Sequence, residues 1–98
     1  MQQFTRFEWD PRKAEVNRRK HDLSFETAIK LFRDPLRLWA FEGDEHGEIR
    51  WRTIGEIDGR ICVISYTIRE EGEEEVYRII TARRATPRER KAFEERTF

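Results

Sequence analysis

The stretch from Tyr77 to Arg90 constrains the fold more than any other part of the chain. Tyr77-Arg78-Ile79-Ile80-Thr81-Ala82 is an apolar, β-branched run with the character of a buried strand. It leads into Arg83 and Arg84, and then into Ala85-Thr86-Pro87-Arg88-Glu89-Arg90. Thr86 has the chemistry of an N-cap, Pro87 suits the first helical position, and Glu89 completes a capping box with Thr86. A strand that runs into a capped helix places two guanidinium groups at a rigid seam. Such a seam is suited to gripping phosphate. The plainer alternative is that both arginines are surface charges paired with the many glutamates.

The rest of the chain divides by the same signals. Phe4 to Trp9 reads as a short strand. Asp10 caps a helix that starts at Pro11 and runs to about Lys20. After the break at His21-Asp22-Leu23, Ser24 caps a second helix. Its Phe25, Ala28, Ile29 and Phe32 form a buried stripe. Asp34-Pro35 stops that helix. Strands are expected over 36–41, 49–57, 60–68 and 75–82, with a polar turn at 42–47 and a turn at 69–74. Asp58-Gly59 is a strong hairpin signal between two of them. The last helix spans Pro87 to about Glu95. The order β-α-α-β-β-β-β-α predicts a single α+β domain over 1–98. Its twisted antiparallel sheet would have helices packed on one face.

Composition narrows the function. The chain has 98 residues, of which 41% are charged and 37% hydrophobic, yet three Trp and seven Phe enlarge what can be buried. So polar a small domain is a natural candidate for a covering partner protein. Net charge is zero, but residues 12–20 and 83–91 are each net +4. Two basic blocks that converge in space would bind nucleic acid; apart, they are two solvated helix faces. Cys62 is the single cysteine, so no internal disulfide can form, and a reducing cytoplasm is expected. No apolar run approaches the ~20 residues that span a bilayer, and no association with a membrane is expected. The chain has no Cys/His ligand set, no glycine-rich phosphate loop and no Gly-x-Ser-x-Gly.

Chemistry-bearing residues are few. His21 closes the first helix, and its ordinary pKa suits proton transfer near neutrality. Asn17 lies one turn earlier and is placed to orient the imidazole ring. A histidine held only by a helix C-terminus is the alternative. Glu26 lies in the first turn of the second helix, where it would favour the helix dipole or act as a general base. Arg50-Trp51-Arg52 interleaves cation and aromatic, as nucleotide-stacking surfaces do. Arg60 and Arg78 add charge to the sheet. His46 reads as a solvated turn residue.

The segments Phe7-Glu8-Trp9-Asp10-Pro11, Lys20-His21-Asp22-Leu23-Ser24-Phe25-Glu26-Thr27-Ala28, Arg50-Trp51-Arg52-Thr53-Ile54-Gly55 and Arg78 to Arg90 occur in this order. Together they resemble the BrnT toxin family over nearly the whole chain. The resemblance implies a RelE-like fold and a ribonuclease toxin of a type II toxin–antitoxin pair that cuts RNA and arrests translation. It also implies a partner, the small antitoxin BrnA, with a ribbon-helix-helix DNA-binding part. The expected complex is a heterotetramer that represses its own operator. Thr81 departs from the usual serine but keeps the hydroxyl. The residues expected to carry catalysis are His21, Glu26, Arg78 and Arg83. Lys20, Arg50, Trp51, Arg52, Arg84 and Arg88 are expected to hold RNA. Neither a metal nor a cofactor is expected. The competing expectation is a non-catalytic subunit that only binds a ribbon-helix-helix repressor.

Overall fold

The computed structural model describes residues 4–98. The chain runs β1 (Phe4–Glu8), α1 (Pro11–His21), α2 (Phe25–Ala28), a 3-10 segment (Ile29–Arg33), β2 (Leu38–Glu45), β3 (Glu48–Ile57), β4 (Arg60–Glu71), β5 (Glu74–Arg84) and α3 (Pro87–Glu95). This is the element order expected from the sequence. The five strands form one sheet in the order β1-β5-β4-β3-β2.

One expectation is corrected by the pairing. The sheet is mixed, because β1 lies parallel to β5, with Phe7 beside Tyr77 and Glu8 beside Arg78. The return from β1 to β5 passes through most of the chain, which is the long connection a parallel pair requires. The other strands are joined by antiparallel hairpins. At the β3–β4 turn, Asp58 and Gly59 both have positive φ, 48° and 83°, as the tightest hairpin turn demands.

Local chemistry sets the helices. Asp10 accepts the Arg12 N–H at 2.8 Å and Pro11 opens α1. Ser24 accepts the Thr27 N–H at 3.1 Å. The second helix tightens into the 3-10 segment before Asp34. There Asp34 accepts the N–H groups of Leu36 and, across to β3, Glu56. This draws the segment against Gly55, where an added Cβ would sit 3.1 Å from the Leu31 side chain.

The main core lies between the sheet and these helices. Phe25, Ala28 and Leu31 pack with Ile57, Cys62, Ile64, Tyr66, Ile79 and Ala82. The opposite face carries Val63, directly across from Arg83, and Ile54, both buried. The helices therefore do not all share one face. Arg83 bonds Glu89 of α3, and Arg52 lies 4.7 Å from the Phe98 ring, so the C-terminal segment is tied to this second face.

Candidate functional site

β1 ends at Glu8, opposite Arg78, and its neighbour β5 continues six residues further along this edge, to Arg84. The vacated edge is taken by α1. Asn17, buried on that helix, does the work of a missing strand. Its Nδ2 donates to the Ala82 carbonyl at 2.8 Å and its Oδ1 accepts the Ala82 N–H at 3.1 Å. Nδ2 also donates to Leu23 O at 3.1 Å. Asn17 thus faces the strand and, contrary to the reading from its helical spacing, does not orient His21.

This anchoring presses the basic side of α1 against β5. A groove of about 380 Å³ results, lined by Arg12, Lys13, Lys20 and His21 from the helix and by Ile80 and Thr81 from the strand. No carboxylate lines it among the described residues. The one acid in the basic block, Glu15, is turned away and engaged by Arg18 and Arg19. Burial depresses the His21 pKa, and the charges of Lys20 and Arg83 depress it further. The imidazole is therefore neutral at neutral pH and able to accept a proton. The charge of Arg83 reaches His21, but no residue of the 83–91 block lines the groove.

The seam after β5 is less open than the sequence implied. The capping box forms, with the Glu89 N–H to Thr86 Oγ1 at 3.1 Å and the Thr86 N–H to Glu89 Oε1 at 2.9 Å. Glu89 also binds Arg83 through both carboxylate oxygens. A carboxylate of the chain itself thus occupies the start of α3, where a phosphate had been expected. Arg84 and Arg88 are exposed and make no ion pair among the described residues.

The remaining candidates are scattered. Arg78 bonds Glu8 at 2.8 Å, within a network that joins Glu8 to Arg69 and Arg6 to Glu71 and Glu74. That network takes up Glu71 and Glu74 of the acidic 70–75 segment. Adjacent strand residues face opposite sides, so Arg50 and Arg52 do not share a surface with Trp51. Trp51 lies on the helix-bearing face with Tyr66, whereas Arg52 packs under Phe98. Glu26 does not line the His21 groove. It opens instead on a hollow that also holds Lys30, Arg33, Arg37 and Tyr77. Sequence reasoning missed these four. Glu26, Lys30 and Arg33 recur at i, i+4 and i+7, a polar stripe beside the apolar one.

The chain matches one family profile across residues 9–89, described as the ribonuclease toxin BrnT of a type II toxin-antitoxin system. The chain belongs to the BrnT family. The matched span includes α1, His21, both arginines of the seam and the capping box of α3. A BrnT toxin is a ribonuclease that pairs with an antitoxin. A comparison with curated proteins gives no match. No helix among the described residues is long and apolar enough to cross a membrane.

Proposed function

We propose that this BrnT-family chain is a metal-independent endoribonuclease with His21 as its general base. The observation that carries this reading is the place of His21 in a groove lined by Arg12, Lys13 and Lys20, with no lining carboxylate among the described residues. In the proposed reaction the imidazole takes the proton of a ribose 2′-OH. The 2′-oxygen then attacks the adjacent phosphorus. Lys20 and Arg83 stabilise the charge that builds on the phosphorane oxygens. The 5′-oxygen leaves as it takes a proton from solvent water, which gives a 2′,3′-cyclic phosphate and a free 5′-OH, and the His21 imidazolium returns its proton to solvent. Arg84 and Arg88 hold flanking phosphates. Glu26, remote from the groove lining, has no step here, and Arg78 acts by holding Glu8 and the β1–β5 edge.

Cleavage of messenger RNA would arrest translation in the cytoplasm. A BrnA-type antitoxin with a ribbon-helix-helix part would neutralise the toxin by covering the groove, and through it the complex would reach operator DNA as a heterotetramer. The purified chain, incubated with RNA in EDTA, is expected to produce cyclic-phosphate ends, and His21→Ala to abolish them. Intact RNA would support the competing reading, a non-catalytic partner-binding subunit. That reading draws on the neutralisation of Arg78 and Arg83 by glutamates.

A further inference from the structure

Beyond the end of the helix layer, the same face of the sheet is left open. Two contiguous hollows of about 360 and 300 Å³ share Phe32, Arg37 and Tyr77 as walls. The first adds Lys30 and Arg33, and the second adds Trp39 and Trp51. Its aromatic wall is ordered. The Tyr66 and Tyr77 rings stack at 5.1 Å with 8° between their planes, and Trp39 meets Trp51 edge-on at 5.6 Å. Tyr66 is held by a 2.6 Å hydrogen bond between its hydroxyl and that of Thr53. Trp39 is 67% exposed, so its indole presents its surface to solvent and is not core packing.

An exposed aromatic surface of this kind suits either a protein partner or unpaired bases. Charge decides between them. Three cations, Lys30, Arg33 and Arg37, line the cleft against one acid, Glu26. Arg37 uses one donor on the Asp34 carbonyl and keeps others available. Stacking rings bordered by cations are what a single-stranded backbone with splayed bases requires.

We propose that this cleft is an RNA subsite, with an unpaired base stacked on Trp39 and its phosphate on Arg37. The proposal rests on RNA being the substrate. Tyr77 and Ile80, which line the cleft and the His21 groove respectively, are three residues apart on β5, roughly 10 Å along the strand.

The test is fluorescence anisotropy with a labelled, 2′-O-methylated single-stranded oligonucleotide, which cannot be cut by 2′-oxygen attack. Trp39→Ala should weaken binding about tenfold, and Trp39→Phe, which keeps a stacking ring, by no more than about twofold. Arg37→Ala should weaken binding and reduce its salt dependence by about one phosphate. Arg60→Ala, in the β3–β4 hairpin, should change nothing. Unaltered unfolding midpoints would show that the variants fold. Equal binding by wild type and Trp39→Ala, or no binding by wild type, would overturn the subsite. Because the probe is not cleaved, these results are independent of His21. Failure of wild type to cut natural RNA would sink the ribonuclease reading separately.

Discussion

Arg83 donates two hydrogen bonds to Glu89, at 2.7 and 3.1 Å, across the seam between β5 and α3. The same carboxylate caps the helix through Thr86. One glutamate thus fixes both the end of the strand and the start of the helix. Arg83 holds the Glu89 pKa down to about 2, from an ordinary value of 4.5. A carboxyl depressed in the fold stabilises it above the unfolded pKa and loses that contribution as pH falls through the folded one. We expect stability to decline from about pH 4.5 towards 2, the range set by these two values. Glu89→Gln should cost about 1–2 kcal/mol at neutral pH and flatten this decline in urea titrations. An unchanged acid limb would show that Glu8, also lowered to about 2, dominates.

Loss of RNA cleavage in Arg83→Ala alone would be ambiguous, because the change strands a half-buried Glu89 carboxylate. The double variant Arg83→Ala, Glu89→Gln removes that unpaired charge. If Arg83 steadies the phosphorane, the double variant should regain part of the stability lost by the single one and still cleave about 100-fold more slowly. Cleavage at the wild-type rate would make Arg83 a structural residue.

His21 gives a prediction in pH. Its pKa is depressed, first by burial and then by Lys20 and Arg83. A general base is active when deprotonated, so kcat/KM should rise with pH through a midpoint below the ordinary 6.5. Lys20→Ala removes a positive charge that disfavours the imidazolium, so the midpoint should move upward. Stopped-flow or gel assays across pH 4–8 would measure it. A midpoint that stays in place would show that the titrating base is not under the field of Lys20, which counts against His21.

The parts of this fold that are legible in the sequence are those written within a few residues. Asp58-Gly59 forms its hairpin, Ser24 and Asp10 cap their helices, and Thr86 with Glu89 forms the box. What stays hidden depends on partners far along the chain. Nothing near Phe4–Glu8 says that its neighbour will be β5, aligned in parallel. Register shifts near Ser65 and Phe41 are likewise set by the sheet, not by local propensity. The Arg83–Glu89 pair spans a strand–helix seam at a spacing that no helical or strand rule covers. Arg50-Trp51-Arg52 was the reverse case. The two-residue period of a strand already separates the tryptophan from its flanking arginines. The groove was only half visible. The charge blocks announce cations, but the docking of α1 that sets its cations against β5 comes from one buried amide.

That amide yields the last prediction. Asn17 is 5% exposed, and it satisfies both backbone groups of Ala82 and the carbonyl of Leu23. Asn17→Ala would leave two buried polar groups of Ala82 and the part-buried Leu23 carbonyl without their Asn17 partner, at a cost of about 3 kcal/mol after relaxation. Asn17→Asp keeps the shape and the acceptor for the Ala82 N–H, but it sets a carboxylate against two carbonyls. Its carboxyl should be driven towards the protonated form, with a pKa above the ordinary carboxylate range. A group raised in the fold loses its stabilising contribution as pH rises, so Asn17→Asp should be markedly less stable at pH 8 than at pH 5 relative to wild type. Both variants should also raise KM for RNA, because α1 carries Lys20 and His21 into the groove. Thermal unfolding at the two pH values, alongside kinetics below the melting range, checks both parts. An Asn17→Asp protein as stable as wild type at pH 8 would mean that α1 is held to β5 by apolar contact alone.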